Sequence, residues 1–548
     1  MIDIKKPIID FFEFIKNSFP NFIITADEFQ KNFISNKKSG MFGQITRGTH
    51  KGKQVAIKTL KLMKDSIKLV LKEKSEFELI NRELTILSII SSDNIPSLEG
   101  IYINYQKDQI NFILDYIDGK TLSEALAEDN NWTYYQKLLL AKKLCNILVD
   151  IRQNEVIHRD VKPDNIIIES NSYLDTLEPY LIDFGFSKIQ NSDKTYTMTK
   201  GKCTPLYSPP ENLLDEQDYM KLIDSSEKSL LTPVTNKGLL TKISYKVDVW
   251  SFGCVLYEIF TRRKPWVHII ESKYPNRKNQ LDVNDIFSFF NGKDKIFSST
   301  DKANYPKIMN IVENCTIISV KERWEIEKVY STIYSLIQSN RSFVKEEEDG
   351  IYYEGQIIKS KAFTNNEETY YDGFGKYKID DDDEEEKVIY IGNYEFSKKS
   401  GLGIHQTVDN IYYGYWRNDD KNGLGYNYNT EYNINYYIGK FKKNKKDGYG
   451  MYIIKDESIY IGKFCNDMLI EGIYFDIVNN LVYKGMFEYE QLVIGEIHYL
   501  EKNEIYYGQI KNNKRNGYGQ LLNITNNKVI QRGLWKNDAI IIKSYKSN

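Results

Sequence analysis

Two polar segments that follow apolar runs carry the side chains needed for phosphoryl transfer. The segment VIHRDVKPDNIII places Asp160, Lys162 and Asn165 between two apolar runs, and the later segment YLIDFG places Asp183 directly after another. Transfer of a phosphoryl group from a nucleotide needs a base or orienting group, a cation on the moving phosphate and oxygen ligands for Mg²⁺. These four side chains supply those types. A purely structural explanation for so many polar loop residues is much less economical.

An earlier hairpin pattern offers further phosphate contacts. Gly40 and Gly43 lie in the segment SGMFGQI, which precedes a turn-rich stretch at 46–54, and Lys58 ends the apolar segment VAIK that follows. Glycines let a backbone approach phosphates, although two glycines alone are more often a structural turn. A lysine at the end of an apolar strand either extends to solvent or meets a buried anion. Glu83, on a helix predicted over 68–90, is the candidate anion, although by itself it would be interpreted as a solvated helix carboxylate.

Taken in order, these motifs make residues of about 35–340 resemble a eukaryotic protein kinase. The resemblance implies a bilobal α+β fold with a β-rich first lobe and a helical second lobe. It also implies the catalytic set. Lys58 would hold the α- and β-phosphates and pair with Glu83, Asp160 would accept or orient the substrate hydroxyl proton, and Lys162 would neutralise the γ-phosphate.

The same resemblance implies ATP and Mg²⁺ as cofactors. Asn165 and Asp183 would bind the metal. The residues expected around ATP belong to the glycine-rich loop, the adenine pocket and the hinge: Gly40, Phe42, Gly43, Ile45, Ala56, Lys58, Leu114, Asp115, Ile117 and Ile167. Leu114 corresponds to the gatekeeper, and Ile45, Ala56 and Ile167 would enclose the adenine ring.

Two further positions imply the substrate class. Lys162 and Thr204 are each followed by proline, and both pairs resemble the corresponding positions of serine/threonine kinases. The expected substrate is therefore a protein with a Ser or Thr acceptor, with dual specificity as the alternative. By the same resemblance Glu211 would pair with Arg323, and Asp248 would brace the catalytic loop.

Regulation and departures from the family pattern are also visible. Arg159 would bind a phosphate on one of three activation-segment threonines, Thr195, Thr197 and Thr199; the alternative is that these residues are never modified. Lys38 stands in place of the first loop glycine, and Cys203 in place of the glycine before Thr204. An insertion is expected at about 215–240. Because none of these changes removes a phosphate or metal group, an active enzyme is favoured over a pseudokinase scaffold.

The composition changes sharply near residue 349. Beyond it lie 26 of the 42 Tyr, 21 of the 32 Gly and none of the 12 Pro. The boundaries expected are an N-terminal extension at 1–33, with an apolar helix face packed on the next domain, a kinase domain at 34–340, a linker at 341–350 and a repeat array at 351–540. The acidic run at 380–386 is interpreted as a solvated loop of the array.

The array has a near-regular period. A glycine closely preceded by aromatic residues recurs as Gly355, Gly392, Gly414, Gly439, Gly462, Gly485 and Gly508, mostly at intervals of 22–25 residues. Period-two segments separated by turns rich in Asn, Asp and Gly predict one β-hairpin per repeat, and stacked hairpins share a core. These repeats resemble MORN repeats, which implies an all-β array that binds a protein partner or self-associates.

Charge and cysteine content limit the remaining functions. The net charge of −2 gives no global attraction to nucleic acid, and none is expected as a partner. Five lysines between 440 and 446 crowd one predicted hairpin and suggest acidic lipid as a weaker alternative to a solvated turn. Five unpatterned cysteines and the lack of a secretory signal at the start favour an intracellular, cytoplasmic location, with peripheral membrane or cytoskeletal association as a variant.

Overall fold

The structure is a computed structural model, and it divides into two compact units, Met1–Ser339 and Asn340–Asn548. It describes residues 6–25, 34–40, 43–50, 52–62, 70–90, 92–128, 132–169, 177–190, 204–214, 222, 244–273, 288–290, 294–348, 350–360, 368–379, 388–429 and 434–543. The predicted acidic loop at 380–386 lies outside these ranges. None of the described helices combines the length and apolar character needed to cross a membrane.

The first unit begins with a helix that packs on a small sheet. Helix α1 spans Lys6–Ser18, and the ring of Phe12 meets Tyr105 edge-on at 5.3 Å between centroids. The backbone N–H of Ile24 donates to the carbonyl of Ile101 at 3.0 Å, which adds the segment after α1 to the sheet edge. The predicted packing of the N-terminal extension on the following domain is thereby confirmed.

The sheet of the first unit is antiparallel, with strand order β1-β2-β3-β5-β4. Its strands are β1 (Ile34–Gly40), β2 (Gly43–His50), β3 (Lys53–Lys61), β4 (Leu98–Asn104) and β5 (Gln109–Asp115), and helix α2 (Val70–Ile89) comes between β3 and β4 in the chain. Val55 and Ile57 on β3 are buried with Ile113, as the period-two pattern of a strand requires. The sheet and α2 form the predicted first lobe.

The rest of the first unit is mainly helical. Its elements are β6 (Gly119–Thr121), α3 (Leu122–Ala127), α4 (Tyr134–Gln153), β7 (Val156–Ile157), β8 (Ile166–Glu169), β9 (Pro179–Leu181), β10 (Lys188–Ile189), α5 (Pro210–Leu213), α6 (Lys246–Thr261), α7 (Val267–Lys273), α8 (Ser299–Asn304), α9 (Pro306–Cys315) and α10 (Ile326–Gln338). A capping box starts α4: Thr133 accepts from the N–H of Gln136, whose side chain accepts from the N–H of Thr133. Helix α6 is buried along nearly its whole length and forms the core of this lobe.

The second unit is one antiparallel sheet in which seventeen strands follow each other in chain order. They are β11 (Ser342–Glu348), β12 (Ile351–Ser360), β13 (Glu368–Ile379), β14 (Val388–Glu395), β15 (Lys398–Gln406), β16 (Asn410–Arg417), β17 (Asp420–Asn429), β18 (Asn435–Lys442), β19 (Lys445–Ile454), β20 (Ser458–Cys465), β21 (Met468–Asp476), β22 (Leu481–Glu488), β23 (Gln491–Tyr499), β24 (Glu504–Lys511), β25 (Lys514–Asn523), β26 (Val529–Lys536) and β27 (Ala539–Lys543). The array of hairpins predicted from the repeat is therefore present.

The predicted linker at 341–350 needs correction, because residues 342–348 form β11 and pair with β12 from Ser342 opposite Ile357 to Glu348 opposite Ile351. Its sequence, SFVKEEE, lacks the aromatic–glycine anchor and is mostly exposed. Charged residues on an edge strand oppose pairing with another chain, so this composition fits an edge strand as well as a linker.

Tight turns join the two strands of most repeats. Asn418 and Asp419 both have positive φ, as do Lys443 and Asn444 and the equivalent pairs in other repeats. Two central residues with positive φ define the type I′ turn, which suits the twist of a hairpin and favours Asn, Asp and Gly. The second turn residue also links neighbouring repeats, because the side chain of Asn444 accepts the backbone N–H of Lys421 at 2.7 Å.

A continuous row of paired glycines crosses the sheet from β12 to β26, one on each strand. Its members are Gly355, Gly375, Gly392, Gly403, Gly414, Gly425, Gly439, Gly450, Gly462, Gly472, Gly485, Gly495, Gly508, Gly519 and Gly533. On the same face, buried aromatic side chains form the core of the array. The tyrosine excess is therefore largely a packing feature.

Candidate active site

Lys58 lies at the centre of a buried ion network. Strand β3, paired on both sides with β2 and β5, places its Nζ 2.6 Å from Glu83 Oε1 and 2.9 Å from Asp183 Oδ1. Burial alone would lower the lysine pKa, but the two carboxylates outweigh it and hold the pKa above its ordinary value. Lys58 is therefore a fixed cation, joined to two elements distant in the chain.

Helix α2 supplies Glu83. Leu84 and Leu87 are buried beside it and fix that face of the helix toward the sheet. Burial raises the pKa of Glu83, and the adjacent Lys58 opposes that rise. The predicted ion pair is present, with both side chains almost completely excluded from solvent.

The loop after β7 gathers three of the predicted catalytic residues. Lys162 Nζ donates to Asp160 Oδ2 at 2.7 Å. Asn165 Nδ2 donates to the same Asp160 oxygen at 2.9 Å and to the Asp160 carbonyl at 2.8 Å. The carboxylate is thereby oriented by a cation and an amide, and the amide oxygen of Asn165 is the atom that can face a metal.

A buried carboxylate holds this loop in place. Asp248, near the start of α6, accepts the backbone N–H groups of His158 and Arg159, both at 2.7 Å. Burial raises the pKa of Asp248, and its hydrogen bonds from the two backbone N–H groups oppose the rise. Arg159 has φ of 69°, an uncommon conformation that the hydrogen bonds to Asp248 help to hold. The predicted brace is therefore present.

Asp183 is brought beside the catalytic loop by the backbone. The N–H of Ile182 donates to the Asn165 carbonyl at 2.9 Å, and the buried ring of Phe184 meets the His158 ring edge-on at 4.9 Å. Burial opposes ionisation of Asp183, but Lys58 outweighs it, so the pKa of Asp183 lies below its ordinary value. Asp183 is a carboxylate at neutral pH, as a metal ligand must be.

The residues present fit Mg²⁺. Asn165 and Asp183 offer one amide and one carboxylate on adjoining loops, and Mg²⁺ commonly takes one or two protein oxygens together with nucleotide phosphates and water. Among the described residues, no cluster of three or more His, Cys, Asp or Glu forms a metal cage. The pair therefore suits a metal that arrives with a nucleotide better than a permanently held ion.

The predicted adenine contacts occupy neighbouring strands. Ala56 on β3 pairs with Leu114 on β5, and Ile45 on β2 pairs with Lys58. Asp115 ends β5 and Ile117 follows it, while Ile167 lies on β8, and all but Ile45 are half-buried. Gly40 and Gly43 pair at the end of the β1–β2 hairpin, whereas Phe42 lies outside the described residues.

Thr204 makes a contact that its sequence motif does not predict. Its hydroxyl accepts a hydrogen bond from Lys162 Nζ at 2.8 Å. The motif of threonine followed by proline identified the residue, while the contact depends on tertiary structure. Thr195, Thr197, Thr199 and Cys203 lie outside the described residues, as does nearly all of the insertion predicted at 215–240.

The predicted Glu211–Arg323 pair anchors the segment after Thr204. Arg323 donates two hydrogen bonds to the carboxylate, at 2.6 and 3.1 Å, and its guanidinium lies 5.0 Å from the centre of the Trp250 ring. Bidentate geometry makes this a strong charge-assisted contact. It fixes one end of the segment that reaches the catalytic loop.

Comparisons with known proteins agree with this geometry. The family model described as protein kinase domain matches residues 38–225. The chain is similar to MAP kinase kinase kinase SSK2 of Saccharomyces cerevisiae, 27% identical over 256 residues, which is 44% of this chain and 15% of the relative. It is 30% identical over 247 residues to the probable serine/threonine-protein kinase fhkA of Dictyostelium discoideum, covering 43% of this chain and 39% of the relative.

A third relative is cAMP-dependent protein kinase type 3 of Saccharomyces cerevisiae, 28% identical over 230 residues, which is 42% of this chain and 47% of the relative. The matched region thus spans less than half of each of these relatives. Residues 38–225 match a protein kinase domain, and the relatives reported are named as protein kinases, one of them as a probable serine/threonine-protein kinase.

Proposed function

We propose that this protein transfers the γ-phosphate of ATP to Ser or Thr hydroxyls of protein substrates. The observation that carries the proposal is the ion network of Lys58, Glu83 and Asp183, which lies beside a catalytic loop whose Asp160 is held by Lys162 and Asn165. The groups come from separate segments of the chain, which the fold brings within hydrogen-bonding distance of one another.

In this mechanism Lys58 binds the α- and β-phosphates while Glu83 keeps its ammonium in place. Asn165 and Asp183 would hold Mg²⁺, which neutralises charge on the phosphates when it is bound. Ile45, Ala56 and Ile167 contact the adenine, and the backbone at 115–117 pairs with its polar edge. These interactions position the γ-phosphate above the catalytic loop.

Asp160 then orients the substrate hydroxyl and accepts its proton as the oxygen attacks phosphorus. The bond from the acceptor oxygen to the γ-phosphorus forms, the bond from that phosphorus to the bridging oxygen breaks, and ADP leaves. Lys162 compensates charge on the transferred group. Because Thr204 contacts Lys162, it connects the substrate-binding segment to the catalytic loop and supports a Ser or Thr acceptor.

The direct test measures transfer from ATP with Mg²⁺ to generic protein substrates by the full chain. Asp160→Asn and Lys58→Met should each reduce transfer by at least about 100-fold, since each removes a group used in the transition state. Asp10→Asn and Lys107→Met, at exposed positions away from the site, are matched controls and should retain wild-type rates. Equal incorporation by wild type and both site variants would favour a scaffold with a vestigial kinase fold.

For the second unit we propose a MORN-type array that scaffolds or localises an intracellular, cytoplasmic kinase. The supporting observation is the repeated hairpin with its shared aromatic core. Attraction to acidic lipid is the weaker alternative, because the five lysines are not equally available: Lys446 lies half-buried over the Tyr452 ring at 4.0 Å. Changing Lys440, Lys442, Lys443, Lys445 and Lys446 to Gln should leave liposome binding and cell location unchanged if the array acts through proteins.

A further inference from the structure

The array has a second apolar surface, on the face opposite its aromatic core. We call it the outer row. It consists of one apolar residue from each strand from β14 to β21, each paired with the next: Ile391, Ile404, Tyr413, Tyr426, Ile438, Met451, Ile461 and Ile473. Each member is adjacent in sequence to one of the paired glycines. Because successive residues of a strand point to opposite faces, its side chain lies on the face opposite the aromatic core.

The outer row is accessible. Ile404 is 41% exposed, Tyr413 48% and Ile438 55%. Packing within the array does not require apolar side chains here, because the core is on the other face. Eight consecutive apolar residues on an accessible face exceed the scattered hydrophobic residues that protein surfaces normally carry.

Parallel rows on the same face extend the surface. On one side, Leu402 pairs with Tyr415, and Leu424, 60% exposed, pairs with Lys440. On the other side most of the paired residues are apolar, and all but the exposed Gln406 are half-buried: Ile389, Gln406, Ile411, Tyr428, Tyr436, Ile453, Ile459 and Phe475. The row on the Leu402 side also contains Lys440, Lys463 and Glu471, so the apolar surface is continuous along the outer row and the row beside Ile389, with charged side chains along one border.

Its dimensions fit an interface between two chains. Eight strands about 4.8 Å apart extend over about 34 Å, and three rows with their side chains cover about 20 Å along the strands. The product is roughly 700 Å² per copy, so two copies would bury roughly 1,400 Å², which lies within the usual range for stable complexes. Two sheets that pack face to face are the standard way to bury such surfaces.

We propose that a second copy of this chain covers the outer row, with the two arrays related by a two-fold axis parallel to the strands. Reversed strand order places β14 opposite β21 of the other copy, and Ile404 opposite Ile461. All eight positions then meet apolar partners, which makes the surface self-complementary as a two-fold contact requires.

The charges agree with this arrangement. Lys463 pairs with Glu471 within the same sheet, so that pair carries no net charge. The two-fold places Lys440 opposite Leu424, where its stem packs and its ammonium extends to solvent, so no like charges meet. Lys440 is then the one uncompensated charge in the three rows, whereas a membrane surface or a strongly charged partner would call for several.

This inference rests on the scaffolding part of the proposed function and is independent of catalysis. The first test measures the mass of the full chain in solution by light scattering and sedimentation. Wild type should be dimeric at micromolar concentration, and Ile404→Lys with Ile438→Lys should weaken association at least about 100-fold, because two buried ammonium groups would be unpaired. Tyr489→Lys, at an 85% exposed turn position, is the matched control and should stay dimeric.

The second test distinguishes this geometry from other dimers. In a Cys203→Ser and Cys465→Ser background, a chain with Ile404→Cys mixed with a chain with Ile461→Cys should cross-link on mild oxidation. Ile404→Cys alone should not, because the two copies of β15 would lie about 24 Å apart, beyond the reach of a disulfide.

A monomeric wild type, an unaffected Ile404→Lys and Ile438→Lys dimer, or cross-linking of Ile404→Cys alone would each overturn the inference. Circular dichroism of the lysine variant, with β content equal to wild type, ensures that a loss of association reflects the surface. A monomer that still transfers phosphate contradicts only the dimer, whereas a dimer without transfer contradicts only the kinase proposal.

Discussion

Lys58 and Glu83 form a buried ion pair, with Nζ 2.6 Å from Oε1, although 25 residues separate them in the chain. The pair joins the sheet to α2, and Asp183 extends it to the second lobe. Removing one partner of a buried pair leaves an uncompensated charge, so the arrangement is sensitive to single substitutions. The fold thereby holds the Glu83 face of α2 against Lys58.

Glu83→Gln should therefore reduce kcat/KM for ATP by about 30- to 300-fold, because an amide does not compensate the charge of Lys58. Steady-state kinetics at varied ATP will measure it. Glu78→Gln, on an exposed position of the same helix, should behave as wild type. Unchanged kinetics for Glu83→Gln would show that the ion pair contributes nothing to nucleotide binding or transfer.

Asp248→Asn should reduce kcat by at least about 10-fold while changing the KM for ATP by less than about 3-fold. Both carboxylate oxygens accept backbone N–H groups, and asparagine would present an NH₂ group to one of them. The loop that orients Asp160 would shift, whereas the ATP contacts of the first lobe would stay. A rise in KM with unchanged kcat would contradict this division of roles.

Much of the site could be predicted because the motifs of the sequence combine polar residue types that the packing of a core does not require. Asp160, Lys162, Asn165 and Asp183 could be identified from their segments, and the resemblance to protein kinases implied a role for each. The contact between Lys162 and Thr204 could not, because it depends on how the segment before α5 folds back. Motif order identifies residues, while their distances depend on tertiary packing.

The array shows the same limit. The regular recurrence of tyrosine and glycine can be recognised in the sequence. The position of the Tyr390 ring over Gly403, on the neighbouring strand, follows instead from strand register. The strand at 342–348 was missed because three glutamates and the lack of an anchor glycine resemble a linker. A charged edge strand and a solvated linker have similar sequences, since neither buries side chains.

Asn444→Ala should destabilise the array by about 1–2 kcal/mol, because it removes an acceptor for the N–H of Lys421 and places alanine at φ of 67°. Asn444→Gly tolerates the backbone conformation and should recover part of the loss. Chemical denaturation followed by tyrosine fluorescence will measure both. If the two variants are equally destabilised, backbone conformation makes no contribution.

Stability of the array should also depend on His405. Burial, followed by the charges of Lys399 and Lys421, lowers the pKa of His405 to about 4. Between pH 6.5 and 4 the unfolded chain therefore binds the proton that the folded chain excludes, so stability is present above pH 6.5 and is lost as pH falls. After allowance for partial exposure, the loss should be roughly 1–2 kcal/mol.

The measurement is the unfolding free energy of the full chain between pH 4 and 7, for wild type and His405→Gln. The variant should lose less stability than wild type over this range. Val408→Gln, at a 63% exposed position between β15 and β16, introduces no titratable group and is the control that should keep the wild-type slope. A slope unchanged by His405→Gln would show that the imidazole titrates normally in the folded state.

Gly403→Ala should destabilise the array most strongly of the variants considered. A Cβ there would lie 2.4 Å from the Tyr390 hydroxyl and 2.7 Å from two ring carbons, and the hydroxyl is fixed by its hydrogen bond to the Asn393 carbonyl at 3.0 Å. The ring cannot move aside without losing that bond and its packing, so a cost of about 2–4 kcal/mol is expected.

Tyr390→Phe separates the two contributions, because it removes the hydroxyl and keeps the ring. It should cost about 1 kcal/mol by itself. The double variant should remain nearly as unstable as Gly403→Ala, since the ring carbons still meet the new methyl group. Denaturant midpoints of all three variants will measure these values, and full recovery in the double variant would show that only the hydroxyl, and not the ring, excludes a side chain from the glycine row.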